Sequence, residues 1–230
     1  MTVKNRCVDI IAEIGGIHDV GAAMALFQEK LDSDHFARLQ RITDPAININ
    51  IANAIAMCRP EAVFINTGSE EDRAFIRAMA LAKGEEEALP MQGHTIHFDL
   101  KDEQGRIIDR TYYIADPEEK VSSLANRMER TDALDEISRI MSGIMHGKTM
   151  VVGFYMRGPV GSPVSNPALE ITSSAYVSHS AEILYRNAYA RFNEEVGRLG
   201  HFYTNVHSEG LNRPEDLPSA RVFMDRSYRT

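Results

Sequence analysis

Tryptophan is absent from the 230-residue sequence, and cysteine occurs only twice, at Cys7 and Cys58. These two cysteines form no CxxC pair and no Cys/His cluster with zinc spacing, so the sequence predicts neither a disulfide framework nor a structural zinc site. No hydrophobic run approaches the roughly 20 residues that a membrane-spanning helix requires, and the N-terminal stretch lacks the layout of a signal peptide. We therefore expect a cytoplasmic protein without a membrane partner.

A surplus of positive charge is also missing. The formal net charge is −8 at pH 7, from 33 acidic and 25 basic residues. Non-specific nucleic-acid binding depends on a basic face, so we expect no nucleic-acid partner. A local cationic pocket for a small anion is still compatible with this charge. Hydrophobic residues make up 43% of the chain, which is ordinary for a globular protein with one large core.

Helical and strand patterns alternate along the chain. Apolar residues at three- and four-residue spacings predict a mostly helical lead-in over residues 1–60. Predicted helices cover 19–31, 33–41, 45–57, a segment after Ser69, 132–145 and 176–197. Predicted strands cover 62–66, 94–100, 110–115, 149–155, 168–172, 201–207 and 221–225. The second and third of these strands are predicted to pair as a hairpin across a polar turn at 101–105.

The order of these elements predicts the fold class. No internal repeat or flexible linker divides the chain, so we predict one domain over residues 1–230. Strands and helices intermix, which is typical of the α/β class in the broad sense (mixed α+β). We expect a mixed sheet flanked by helices.

Two short motifs look catalytic but have low specificity. Gly143–Thr149 (GIMHGKT) resembles a phosphate-binding P-loop. However, only three residues separate its first glycine from the Gly-Lys pair, whereas a P-loop has four. The segment also follows a predicted helix and leads into a predicted strand, which is the reverse of the order around a P-loop. We expect a helix C-cap there, and no nucleotide binding. Ser162 is not in a nucleophile elbow, because Val164 occupies the position of the last glycine.

The histidines and one acidic run give weaker signals. His94 and His97 fall on opposite faces of a predicted strand and make a poor metal pair. His201 and His207 share a face, so a metal site there is the alternative to ordinary histidines. Residues 85–87 are three consecutive glutamates, for which we predict a solvated loop.

The stretch Lys148–Tyr176 (KTMVVGFYMRGPVGSPVSNPALEITSSAY) has a longer and more specific pattern. It resembles the signature of GTP-dependent phosphoenolpyruvate carboxykinases, in which a Lys/Arg-Thr-Met strand runs into a Gly-Pro-x-Gly-Ser-Pro loop and a Ser-x-Tyr-Val segment follows. The matching residues are Gly158, Pro159, Gly161, Ser162 and Pro163 in the loop, then Glu170, Thr172, Tyr176 and Val177. Weaker matches at 58–71 and 202–210 extend the resemblance over most of residues 55–230. We expect the loop to be structural, because its glycines and prolines restrict the backbone.

The resemblance implies an N-terminal-domain fold of that family and a chemistry for the parent protein. Such enzymes are carboxy-lyases of gluconeogenesis and anaplerosis that interconvert oxaloacetate plus GTP and phosphoenolpyruvate plus GDP plus CO2, with Mn2+ or Mg2+. In the family, one arginine of an Arg-x-x-x-Arg/Lys-Thr segment binds the substrate carboxylate. Arg106 matches that position, and Arg110 is the alternative. A guanidinium suits a planar carboxylate, although without the family match both would be taken for surface charges.

Several family motifs have no match in the sequence: the Gly-Tyr-Gly-Gly-Asn loop, the lysine and histidine metal ligands, the P-loop and the guanine pocket. The resemblance therefore implies a substrate-contacting N-terminal domain without its C-terminal nucleotide- and metal-binding domain. We expect it to have no complete catalytic set, no bound cofactor or metal and no activity alone. We also expect self-association near Val222 and Phe223, where the partner domain would pack.

Two other functions stay open at this point. The first is a non-catalytic small-molecule-binding or regulatory module that kept the fold. The second is an unrelated enzyme complete in 230 residues, for which the sequence offers no visible nucleophile, metal cluster or phosphate loop.

Overall fold

A computed structural model describes residues 9–98, 108–116, 118–210, 218–225 and 229–230. The helices are α1 (Ile10–Gly15), α2 (Val20–Lys30), α3 (Ser33–Leu39), α4 (Pro45–Cys58), α5 (Glu70–Ala82), α6 (Arg130–Met141), α7 (Ala175–Leu184) and α8 (Phe192–Leu199), with short 3-10 turns at Ile108–Arg110 and Tyr189–Arg191. The strands are β1 (Ala62–Asn66), β2 (Glu87–Ala88), β3 (Thr95–Ile96), β4 (Thr111–Ile114), β5 (Asn126–Met128), β6 (Thr149–Arg157), β7 (Asn166–Thr172), β8 (Arg186–Asn187), β9 (Tyr203–His207) and β10 (Val222–Asp225).

The main sheet has the strand order β1-β6-β7-β9, and β8 adds a short pairing to β6. β1 runs parallel to β6 and β9 parallel to β7, whereas β6 and β7 are antiparallel. The predicted mixed sheet flanked by helices is therefore confirmed. Thr172 pairs with Val151 on one side and with His207 on the other, so the start of β6 and the ends of β7 and β9 share one edge of the sheet.

The core lies where α1, α2 and α4 cover one face of the main sheet. α4 begins as the sequence predicts, with Pro45 in its first turn and the Asp44 side chain accepting from two backbone N–H groups. Its buried residues meet those of β1, β6 and α8. At the contact between α1 and α4, an added Cβ on Gly15 would come within 2.4 Å of Asn53 Oδ1, so glycine is required there. The described residues include no helix that is long and apolar enough to cross a bilayer.

The predicted hairpin is wrong. β3 pairs with β2, whereas β4 lies between β5 and β10 in a second, all-parallel sheet. The polar turn at 101–105 lies outside the described residues. Alternating apolar residues identify a strand but not its partner, and β10 is more than a hundred residues away from β4 in sequence.

The predicted long helix over 176–197 is also wrong. α7 ends at Leu184, the backbone becomes extended at Tyr185, and β8 pairs with β6 before α8 begins. β8 pairs with β6 at Tyr155 and Met156, just beyond the residues of β6 that pair with β1. Helical periodicity in the sequence does not reveal such a tertiary contact.

Candidate functional site

A cavity of about 980 Å³ opens at the edge of the main sheet where β7 and β9 end. One wall consists of β10, Arg110 just before β4, Ile114 at the end of β4 and the apolar side of α6; another consists of the segments around β2 and β3. Apolar side chains from α1 and α6 line its deeper part, including Ile10, Ile11, Ile137, Ile140 and Met141. A concave surface with apolar walls and a few polar groups is the usual form of a small-molecule site.

Arg110, the alternative to Arg106 as the predicted substrate residue, lines this cavity. It ends the 3-10 turn just before β4, and its half-buried side chain lines the cavity. Arg106, the other predicted residue, lies outside the described residues. Arg221 also lines the cavity and forms an ion pair with Glu136, with an N–O distance of 3.3 Å.

The prediction of a solvated loop at 85–87 is wrong for Glu85 and Glu86, whereas Glu87 is exposed on β2. Glu85 Oε2 accepts hydrogen bonds from Ser174 Oγ and from the backbone N–H of Tyr176, at 2.9 and 2.7 Å. Glu86 is only 4% exposed, and its Oε1 lies 2.7 Å from His179 Nδ1. The N-terminal half of α7 therefore holds both carboxylates, a contact between segments about ninety residues apart.

The histidines do not form a metal site. His97 stacks on Tyr176 with 3.5 Å between ring centroids and donates from Nδ1 to the Glu85 carbonyl. His201 precedes β9 and bonds to Asn166, whereas His207 ends β9 and bonds to Thr172. In the part of the chain that the structure describes, no group of three or more His, Cys, Asp or Glu side chains could hold a metal ion.

The Gly143–Thr149 segment has none of the geometry of a phosphate loop. Gly143 adopts a positive φ of 70° just after α6, as a helix-terminating glycine does, and its N–H donates to the carbonyl of Met57. Lys148 then leads into β6, and its Nζ donates to the Gly210 carbonyl. The segment therefore anchors the end of α6 to α4.

The signature loop lies at the opposite edge of the main sheet from the cavity, because it follows the end of β6. Gly158 has a φ of 112°, and a Cβ there would come within 2.6 Å of Ser165 Oγ, so only glycine fits. Ser165 Oγ donates to the Pro159 carbonyl at 2.6 Å, and Arg198 donates to the Ser162 carbonyl at 3.0 Å. These bonds hold the loop in place, and none of its residues lines the cavity.

Three polar residues that line the cavity, Lys83, Glu85 and Ser174, were not predicted from the sequence. Ser174 belongs to the Ser-x-Tyr segment of the resemblance, and that was the only available signal. Lys83 and Glu85 follow α5 in a charged stretch whose composition is typical of solvent-exposed residues.

Comparisons with known proteins agree with one another. The family model described as "Phosphoenolpyruvate carboxykinase N-terminal domain" matches residues 50–230. Phosphoenolpyruvate carboxykinase [GTP] of Pyrococcus furiosus is 36% identical over 207 residues, covering 88% of this chain and 33% of the relative. The protein of the same name from Thermococcus sibiricus is 38% identical over 202 residues, covering 86% and 32%, and that from Saccharolobus solfataricus is 33% identical over 200 residues, covering 87% and 32%. The chain spans about a third of the length of these curated relatives.

Proposed function

The chain belongs to the phosphoenolpyruvate carboxykinase N-terminal domain family, and from this membership we propose that it is the substrate-contacting part of a GTP-dependent phosphoenolpyruvate carboxykinase. The proposed parent reaction interconverts oxaloacetate plus GTP and phosphoenolpyruvate plus GDP plus CO2. The name of the relatives and the match over residues 50–230 support this reaction. The scarcity and wide spacing of cysteine support a cytoplasmic location.

The position of Arg110 carries the proposal. Arg110 lines the cavity just before β4, and its proposed role is to bind a substrate carboxylate there. An arginine presents two parallel N–H donors to a carboxylate and keeps its charge at neutral pH. Arg106 shares this proposed role, as the residue that matches the family segment by sequence.

The described residues do not fit the metal ion or the nucleotide of the proposed parent reaction. No group of three or more potential metal ligands occurs among them, and the Gly143–Thr149 segment caps a helix instead of cradling a phosphate. We therefore assign this chain no step in metal binding or phosphoryl transfer. We therefore propose that the 230-residue chain by itself has no turnover.

Within the parent reaction, the proposed work of this chain is to bind and orient the substrate. A carboxylate held by an arginine in fork geometry has a fixed direction, which places its reacting carbon relative to the other reactant. The apolar side chains of α1 and α6 in the cavity lining lower the local dielectric constant, which strengthens the charge–charge attraction.

Binding of oxalate, a planar dicarboxylate, tests this role in the 230-residue chain by calorimetry. We expect saturable binding that weakens about 10- to 100-fold in Arg110→Ala or in Arg106→Ala, since one charge-assisted hydrogen-bonding group is worth roughly 1.5–3 kcal/mol. Arg110→Lys should restore part of the affinity, because it keeps the charge and loses the fork. Arg186→Ala, which removes an exposed arginine on β8, is the matched control and should bind as the wild type does.

The pattern of affinity losses among the variants decides which of the two arginines binds the carboxylate. A loss confined to Arg106→Ala assigns the carboxylate to that residue and removes the role of Arg110. If neither variant weakens oxalate binding, the carboxylate-binding role is wrong. Conversion of oxaloacetate by the 230-residue chain alone, with GTP and Mn2+ supplied, would refute the proposed inactivity.

A further inference from the structure

β1 is an edge strand of the main sheet, and two side chains of α3 bind the backbone groups of its outer side. β6 pairs with the inner side, and no strand among the described residues pairs with the outer one. The backbone N–H of Ile65 donates to His35 Nδ1 at 3.2 Å, and the Ile65 carbonyl accepts from Arg38 Nη1 at 3.1 Å. α3 therefore occupies the N–H and C=O groups of Ile65 that a further strand would bind.

The two hydrogen bonds to Ile65 respond differently to acid. A guanidinium always carries its protons, so the bond from Arg38 persists, and the Asp72 carboxylate holds that guanidinium at N–O distances of 2.8 and 3.0 Å. A histidine nitrogen accepts a hydrogen bond only while it carries no proton. Since the backbone of Ile65 supplies an N–H, His35 Nδ1 is the unprotonated nitrogen and Nε2 carries the proton of the neutral ring. Protonation of Nδ1 would place two N–H groups against each other.

A protonated ring has a second partner at the start of its own helix. Asp32 is the N-cap of α3, and its Oδ2 already lies 4.0 Å from His35 Nε2. The Asp32 side chain is 66% exposed and that of His35 only 13%, so a ring that turns toward Asp32 also gains contact with water. The imidazolium would thus exchange a backbone N–H for a carboxylate and solvent, both of which favour a positive charge.

The charged groups around His35 lie on α3 and α5. Three carboxylates favour the protonated ring and one guanidinium opposes it; these groups are Asp32, Asp34, Asp72 and Arg38. At the end of neighbouring α2, Glu29 and Lys30 pair with each other. The phenol of Tyr189 donates to the carbonyl of Arg38, and β1 contributes the ring of Phe64, whose centroid lies 4.7 Å from that of His35. The neutral ring therefore rests on an apolar surface with acidic groups close by.

We infer that His35 is a pH-sensitive switch that controls access to the outer side of β1. In the closed state the neutral ring accepts from the Ile65 N–H; in the open state the protonated ring turns to Asp32 and leaves that N–H to solvent. Arg38, near the other end of α3, keeps its bonds to Ile65 and Asp72 in both states, so the opening is local to the first turn of the helix. The switch goes beyond the proposed function, since none of these residues lines the cavity.

The direction of the pH dependence follows from the burial of His35. Desolvation lowers the pKa of His35 below its ordinary value of 6.5 and outweighs the neighbouring carboxylates. A histidine whose pKa is lowered in the closed state stabilises that state fully above the ordinary value, and this contribution is lost as pH falls through the closed-state value. The switch should therefore open on the acid side of about pH 6.5.

Amide hydrogen exchange of the 230-residue chain, followed by NMR, tests the switch. After correction for the intrinsic exchange rate, the protection of the Ile65 N–H should fall about 10-fold between pH 7 and pH 5, because the open state binds a proton more tightly than the closed state does. The fall should coincide with the titration of the His35 ring signals. The amides of β6 and β7, strands that have neighbours on both sides, should keep their protection.

Three variants separate the switch from a structural role of the same residues. His35→Gln keeps an uncharged side chain with an acceptor, so the protection of the Ile65 N–H should no longer depend on pH in this range. Asp32→Asn keeps an N-cap but removes the charge that attracts the imidazolium, so the opening should move to lower pH. His18→Gln replaces an exposed histidine that precedes α2, and it should respond to pH as the wild type does.

Several results would overturn the inference. Constant protection of the Ile65 N–H between pH 7 and pH 5 in the wild type would refute it without any variant. The same fall in His35→Gln as in the wild type would assign the pH dependence to another group, and an unchanged midpoint in Asp32→Asn would refute the exchange of partners. A parallel loss of protection in β6 and β7 would mean general acid unfolding instead of a local opening. If His35→Gln fails to fold by circular dichroism, the wild type and Asp32→Asn decide alone.

Discussion

The Arg130 guanidinium lies 2.6 Å from the Asp225 carboxylate, and this ion pair joins the first turn of α6 to the last residue of β10. Asp225 is 2% exposed and the Arg130 side chain 14%. Removing the charge of one partner of a buried ion pair typically costs about 3–5 kcal/mol. We therefore expect Asp225→Asn to lower the free energy of unfolding by about that amount, measured by urea denaturation.

The exposed pair of Lys30 and Glu29 provides the control for this prediction. Exposed ion pairs contribute little to stability, so Glu29→Gln should leave the urea midpoint unchanged. An Asp225→Asn variant as stable as the wild type would mean that the buried pair does not hold β10 in place.

Asp72 should make the stability of the chain depend on acidic pH. Burial alone would raise the pKa of Asp72, but hydrogen bonds from Thr67 and the Arg38 guanidinium outweigh it and hold the pKa below its ordinary value of 3.8. A carboxyl with a depressed pKa stabilises the fold above its unfolded-state pKa, and this contribution is lost as pH falls through the folded-state value. Asp72→Asn should therefore cost about 2 kcal/mol at pH 7, and the difference from the wild type should shrink below about pH 3.8.

Urea denaturation at neutral and acidic pH checks this dependence. Asp34 is the matched control, because it also pairs with Arg38, at 2.8 Å, but is largely exposed. Asp34→Asn should cost less than Asp72→Asn at neutral pH. A constant difference between Asp72→Asn and the wild type across the acidic range would contradict the prediction.

Two helical glycines should respond in opposite ways to alanine. A Cβ on Gly15 would come within 2.7 Å of the Asn53 backbone, whereas a Cβ on Gly197 in α8 would meet no atom within 4 Å. Gly15→Ala should destabilise the fold by about 1–3 kcal/mol through overpacking. Gly197→Ala should stabilise it by about 0.5–1 kcal/mol, because alanine loses less backbone entropy in a helix. Thermal denaturation of both variants measures the contrast, and equal shifts would refute the close contact between α1 and α4.

The side of β10 that faces away from β4 should promote self-association. β10 pairs with β4 on one side, and no other strand of the described residues pairs with it. Val222 is 36% exposed on this strand. Unpaired strand edges with apolar side chains favour association, so sedimentation velocity should show a species that grows with concentration. Val222→Lys should suppress it, since a charge on an edge strand opposes pairing; a wild type that stays monomeric over a wide concentration range would refute the prediction.

Local signals in the sequence predicted much of the fold. Pro45 and the apolar residues after it predicted α4, the AVFIN segment predicted β1, and Ser69 predicted the start of α5, whose first turn it caps through the Asp72 N–H. These features depend on neighbouring residues, so a window of a few positions contains the information. Tertiary contacts in α5 are less accessible to such a window: Phe75 is exposed and stacks on Phe64 of β1.

Long-range contacts account for what the sequence did not reveal. The pairing of β4 with β10, the bonds of Glu85 to the start of α7 and the stacking of His97 on Tyr176 all join distant segments. A charged run such as 85–87 has the same composition whether water or a helix end surrounds it. The family resemblance drew attention to Arg110, which lines the cavity, whereas no signal in the sequence indicated that Lys83 and Glu85 line it as well.

The separation of the signature loop from the cavity gives this chain a convenient place for a reporter group. β6 spans nine residues, so about 25–30 Å lie between its two ends. Val164 in the loop is 81% exposed, and burial raises the pKa of the Cys58 thiol to about 12, which leaves that thiol unreactive toward maleimides. A Cys7→Ser, Val164→Cys chain would therefore accept one fluorophore at the loop and leave the ligand-binding end unlabelled.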